Sequence, residues 1–85
     1  MVKNVKCLLL KNNQVIVSEV EEISSELGEP DCRIINPYRI DGDCYLTLWP
    51  DVTDQREIMI HSDSILTIVD PKPKIVEKYF ELTGK

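Results

Sequence analysis

Val5-Lys-Cys-Leu-Leu-Leu-Lys-Asn-Asn-Gln-Val-Ile-Val-Ser-Glu-Val-Glu-Glu-Ile23 is the stretch on which the fold turns. Val5 to Leu10 is a β-type apolar run that stops at Lys11-Asn12-Asn13. Two adjacent Asn tolerate positive φ and suit a hairpin turn. From Gln14 to Ile23 the chain is rich in β-branched residues. Their alternation puts Ile16, Ser18 and Val20 on one face and Val15, Val17, Glu19 and Glu21 on the other. The stretch predicts two strands joined by a tight turn.

Working outward, Ser24 to Asp31 holds Gly28 and Pro30 and reads as a loop. Between residues 32 and 49, Cys32-Arg-Ile-Ile and Cys44-Tyr-Leu-Thr-Leu-Trp49 both read as strands, the firmer being Tyr45 to Trp49. Pro37 lies between them, has no N–H for a ladder, and marks an edge or a bulge. Pro50 to Gln55 is a loop. Arg56 to His61 alternates, with Ile58 and Ile60 on one face, and Ser62-Asp63 turns the chain into a strand from Ser64 to Val69. After Asp70-Pro71-Lys-Pro73 the period changes. Ile75, Val76, Tyr79, Phe80 and Leu82 recur at helical spacing, with Asp70 as the expected cap and Gly84 as the stop. Five or six short strands and one helix of about three turns point to an all-β, strongly bent small barrel with a C-terminal amphipathic helix. Residues 1–85 read as one domain, the barrel over about 1–70 and the helix over about 71–83. The helix stripe is expected to dock on the barrel, with a partner groove or a second ring as the runner-up.

A chain of 85 residues buries only about 60% of the surface it exposes when unfolded, so association is a natural source of further stability. Apolar residues are 42% and charged residues 29%, an ordinary balance for a folded domain. No apolar run approaches the roughly 20 residues that span a bilayer, and Met1 to Lys11 turns polar too soon for a signal peptide. The expected location is cytoplasmic. Net charge is −5, and residues 19–70 hold thirteen acids against Arg33, Arg39 and Arg56. Nucleic-acid affinity comes largely from cations set against phosphates, so this acidic middle opposes it.

The stretch from Val5 to Ile23 resembles the first motif of the Sm/LSm family, a bent five-stranded barrel that assembles into rings. Ile16, Ser18 and Val20 match its apolar, small, apolar alternation. Ile60-His-Ser-Asp-Ser-Ile-Leu-Thr-Ile68 is similar to the second motif, in which an Ile leads into Arg-Gly and an apolar strand. Ser18 stands where the family usually has Gly, and His61-Ser62 stand for Arg-Gly. The resemblance implies a ring of about five to eight subunits. In it the strand around Arg56 to His61 pairs with the neighbour's Ser64 to Val69, and Ile58, Ile60, Ile65, Leu66 and Ile68 supply the apolar seam. The family's RNA-pocket places fall at Ser24, Glu26 and Gly28, with His61 and Ser62 at the second motif. Glu26 offers no ring for stacking, a contact typically worth about 1–3 kcal/mol per base, and Gly28 carries no amide to read a base edge.

The same residues bear on other chemistries. Cys7, Cys32 and Cys44 show no Cys-x-x-Cys spacing, and read as reduced thiols packed as small apolar residues rather than as zinc ligands with His61. His61 with Asp63 and Ser64 would have to converge in space to be catalytic. Glu19, Glu21, Glu22, Glu26, Glu29 and Asp31 lack the ordered spacing of a calcium loop and read as a solvated acidic face. Trp49, near Tyr45, reads as a barrel plug or an interface cover rather than an aromatic platform. The sequence therefore predicts a non-enzymatic, Sm-like homo-oligomeric ring, without metal or cofactor, that scaffolds a protein partner. The alternative is an RNA-binding ring using His61 and the Lys-bearing ends.

Overall fold

In the computed structural model the turn at Asn12-Asn13 forms as predicted: Asn13 takes φ 70, and the Leu10 amide donates to the Gln14 carbonyl at 2.9 Å. Residues 5–22, 30–42 and 45–84 are described. Among them six antiparallel strands make one sheet: β1 (Val5–Leu10), β2 (Val15–Glu22), β3 (Cys32–Asp41), β4 (Tyr45–Leu48), β5 (Glu57–Ile60) and β6 (Ile65–Val69). The helix α1 spans Pro73–Thr83. The strand order is β4-β3-β2-β1-β6, and β5 pairs with β3 on the same side as β4.

Both faces of the β1–β2 pair are apolar, and each has its own core. On the inner face Leu8, Leu10, Ile16, Val20 and Ile34 pack with Trp49, Ile58, Ile60 and Ile65. On the outer face Val5, Cys7 and Val17 meet Ile75 and Tyr79 of the helix, with Tyr38, Ile40, Leu46 and Phe80 around them. The helix stripe thus docks on the sheet as expected, although Leu82 stays exposed. Burying one large apolar side chain contributes about 1.5–3 kcal/mol, so the helix is held by very few residues.

Residues 32–49 differ from the sequence reading. β3 does not end after Ile35 but runs ten residues through Pro37, which lies at one of the two places expected of it. The reason is a bulge. The β2–β3 register shifts between Val17↔Tyr38 and Glu19↔Ile35, so Asn36 and Pro37 together face Ser18. Asn36 takes φ 53, a left-handed value that Asn tolerates, and turns its N–H to the Arg56 carbonyl at 2.7 Å. The Pro37 carbonyl accepts the Trp49 amide at 3.3 Å.

The bulge is closed by side chains. Ser18 is fully buried, and its Oγ lies 2.9 Å from the carbonyls of both Ile35 and Glu19. The Tyr79 hydroxyl reaches in from the helix, donating to the Ile35 carbonyl at 2.9 Å and accepting the Glu19 amide at 3.2 Å. Its ring stands edge-on to Tyr38 at 6.0 Å. Burial pushes the Tyr79 phenol up to about 12.

The helix ends on Gly84 at φ 75, as predicted, with the Gly84 amide bonded to the Phe80 carbonyl. The predicted start is corrected. Lys72, not Asp70, occupies the cap position, and Pro73 opens the helix. Asp70 is drawn instead to the Lys6 ammonium across the β1–β6 margin.

Tyr79→Phe keeps the ring and removes the hydroxyl from two backbone groups. The expected loss is about 1–3 kcal/mol, read by urea denaturation. The phenol's folded pKa exceeds its unfolded value near 10, so its contribution is full below pH 10 and fades as pH rises toward 12. Between those values the wild type is expected to lose stability more steeply than the Phe variant.

Candidate functional site

β5 and β6 follow one another closely yet do not pair. β5 lies along β3, with Cys32↔Ile60 and Ile34↔Ile58 in register, while β6 lies along β1, with Leu8↔Ile68 and Leu10↔Ile65. A single 3₁₀ turn, Ser62–Ser64, joins them. Among the described residues each has a partner on one side only, so each leaves an open edge with N–H and C=O groups to satisfy. Alternation along β6 shifts at a bulge between Leu9 and Leu10 of its partner β1. This frees Leu66, which is 69% exposed, beside Ile68 at 44% and Val69 at 45%.

The five seam residues therefore divide. Ile58, Ile60 and Ile65 are half-buried against the inner core of their own chain, and Leu66 and Ile68 are exposed. Met59, at 43%, is the exposed apolar residue of β5.

Asp31 fixes the turn that sends β5 and β6 apart. It accepts the Ser62 amide and the Ser62 hydroxyl, each at 2.7 Å. These bonds, the hydroxyl foremost, hold its carboxyl below the usual carboxylate range. The expectation that Asp31 belongs to a merely solvated acidic face is corrected on this point. So is that for Glu19, which is buried; Glu21 is exposed, as expected, and pairs with Arg33 at 2.6 Å. The Asp31–Ser62 bond joins residues far apart in sequence, and no local signal announces it.

Of the RNA-pocket places, His61 follows β5 and is exposed, and Ser62 is the residue that Asp31 holds. Ser24, Glu26 and Gly28 lie outside the described residues, so only two of the five are placed. A cavity of about 370 Å³ at the end of the inner core is lined by Leu10, Trp49 and Ile60 together with Lys11, Asp63 and Ser64. The Trp49 indole N–H is taken by Gln14 Oε1 at 3.0 Å, which holds the ring against that core, as the plug reading expects. His61 does not line this cavity, and the Ser64 amide meets only its backbone carbonyl, at 3.0 Å. The three residues are joined as a turn.

Cys7 and Cys32 are buried free thiols. Burial pushes both up, with Asp31 and Glu22 adding to the rise at Cys32, so both stay neutral and pack as apolar residues. Cys44 lies outside the described residues. Among the described residues no three His, Cys, Asp or Glu side chains are grouped to hold a metal, and no helix is long and apolar enough to cross a membrane.

A family described as "Family of unknown function (DUF6561)" matches residues 3–84. No curated protein matches the chain.

Asp31→Asn removes the charge that two Ser62 donors solvate. The Ser62 amide is expected to exchange with solvent faster in this variant by hydrogen–deuterium NMR. The folded pKa of Asp31 is depressed, so the bond's contribution is present above the unfolded value near 3.9 and lost as pH falls through the folded one. Acid should therefore bring the wild type toward the variant.

Proposed function

The chain belongs to the family of unknown function that matches residues 3–84, and from the residues we propose that it is a non-enzymatic, Sm-like protein that assembles through β5 and β6 into a closed homo-oligomeric ring and acts as a scaffold. The observation that carries this reading is the pair of open edges at opposite margins of one curved sheet. Laying β5 of one subunit on β6 of the next satisfies both edges. Repeated around a ring, the contact leaves neither edge free. It extends the inner core, because Ile58 and Ile60 share the inner face that Ile68 occupies opposite Leu8. It also covers Leu66 and Ile68, at about 25 cal/mol for each Å² of apolar surface removed from water. The family resemblance sets the range at about five to eight subunits, and the cytoplasm is the proposed location.

RNA is the weaker reading. Residues 19–70 carry a large excess of acid, and the two placed pocket residues are an exposed His61 and a Ser62 already engaged by Asp31.

Light scattering is expected to give a mass several times 9.8 kDa. Ile68→Asp places a charge on an exposed position and should reduce that mass to one subunit with the circular dichroism unchanged. Ile60→Asp strikes the chain's own core and should unfold it. A wild-type monomer refutes the ring. A salt-sensitive gel shift with uridine- or adenine-rich RNA would revive the RNA reading.

A further inference from the structure

We propose that the outer edge of β4 (Tyr45–Leu48) is a docking strand for an extended segment of a partner protein that bears apolar residues flanked by Lys or Arg. This names the partner of the scaffold and rests on that reading for its role, although the strand's geometry does not require the ring.

β4 is bonded to β3 through Tyr38↔Leu48, Arg39↔Thr47, Ile40↔Leu46 and Asp41↔Tyr45. Among the described residues its other side has no partner. Natural proteins blunt exposed edges with very short strands, charge, proline or a bulge; β4 is four residues long, and within it Tyr-Leu-Thr-Leu carries no charge, proline or bulge. Two of its four residues are large, apolar and exposed, Tyr45 at 71% and Leu48 at 46%, and Val52 just beyond is 86% exposed. By alternation Leu48 shares the face of Leu46, which packs on the helix-side core, and Tyr45 stands on the other face, so an added strand meets one apolar side chain on each face. The Thr47 hydroxyl between them is buried and has no hydrogen-bond partner.

Charge selects the occupant. Residues 39–56 contain four acids, Asp41, Asp43, Asp51 and Asp54, against two bases, Arg39 and Arg56. Asp41 is in register with Tyr45 at one end of β4, and Asp51 and Asp54 are exposed in the loop that follows the other end. Arg39 occupies the Asp41 carboxylate at 3.1 Å, and Arg56 donates to the Asp54 backbone carbonyl at 3.2 Å, which leaves the Asp51 and Asp54 carboxylates without an ion pair among the described residues. A basic flank on the incoming strand meets them, and an acidic one is repelled. Backbone bonds to the edge supply affinity, and side chains at alternate places supply selection.

The ring does not consume this edge. A neighbour's β6 laid antiparallel on β5 runs toward Leu48, but it ends at Val69 and is followed by Asp70-Pro71-Lys72-Pro73, whose prolines cannot donate to a ladder.

The test is fluorescence anisotropy with a labelled peptide of alternating Val and Thr flanked by Lys, titrated with the full chain at low salt. Saturable binding is expected. It should weaken about tenfold or more with Glu flanks, with alternate backbone amides N-methylated, and in Leu48→Lys or Tyr45→Lys, whose circular dichroism should be unchanged. Equal affinity for Lys and Glu flanks, indifference to N-methylation, or no saturable binding overturns the proposal. So does a fall in oligomer mass in Leu48→Lys, which would assign the edge to a second copy of the chain. A monomeric chain that still binds the Lys-flanked peptide supports the docking strand and removes the ring alone.

Discussion

One hydroxyl, that of Tyr79, holds the helix and the sheet to a single geometry. It stands between the Glu19 amide and the Ile35 carbonyl, at the place where β2 and β3 lose step. A bulge sharpens the local twist of a sheet but interrupts its ladder, and buried backbone groups left there would be costly. Tyr79 and Ser18 supply the interrupted bonds from two directions. The bend that lets β3 serve β4 with one half and β5 with the other therefore depends on a side chain contributed by the last element of the chain. Barrel curvature and helix docking are one event.

That coupling explains why the sheet needs apolar residues on both faces. The inner face closes over Leu8, Ile16 and Ile34, all fully buried, and the outer face is sealed by Ile75 and Tyr79. With both faces of the β1–β2 pair spent on intramolecular packing, the surfaces left for other molecules are edges. β4, β5 and β6 each present one among the described residues. They differ in what surrounds them: β6 displays Leu66, Ile68 and Val69, whereas β4 displays Tyr45 and Leu48 with Asp51 and Asp54 beyond. An edge flanked by apolar residues suits a copy of the same chain. An edge flanked by carboxylates suits a partner of opposite charge.

The parts of this fold legible in the sequence are those fixed by neighbours along the chain. Asn13 and Gly84 occupy left-handed conformations because Asn and Gly tolerate them, and both were readable as punctuation. The alternation in Val5–Leu10 and Val15–Glu22 and the helical spacing of Ile75 and Tyr79 were readable for the same reason. What was not legible depends on contacts between distant residues. Pro37 reads as an interruption until Ser18 is placed opposite it. Tyr79 reads as one more apolar ring of a stripe, and nothing local says that its oxygen ends 2.9 Å from Ile35. Asp70 looked like a cap because its position fits, but Lys6 offers it a charge on the adjoining strand. Asp31 looked like one of many solvated acids, and its role at Ser62 appears only when β3 and the β5–β6 turn meet.

The Asp31–Ser62 contact also bears on why two strands so close in sequence do not form a hairpin. A turn of two to five residues ordinarily joins antiparallel neighbours, and Ile60 and Ile65 are near enough for it. Here the turn is a 3₁₀ segment bonded at its first residue to Asp31, the residue immediately before β3. That anchor ties the start of the turn to the β3 side, while the Lys11 amide binds the Ser64 carbonyl at 3.1 Å and ties its end to β1. The turn is stretched between two strands of the sheet instead of folding back on itself. The two edges are therefore held apart, each open on one side among the described residues.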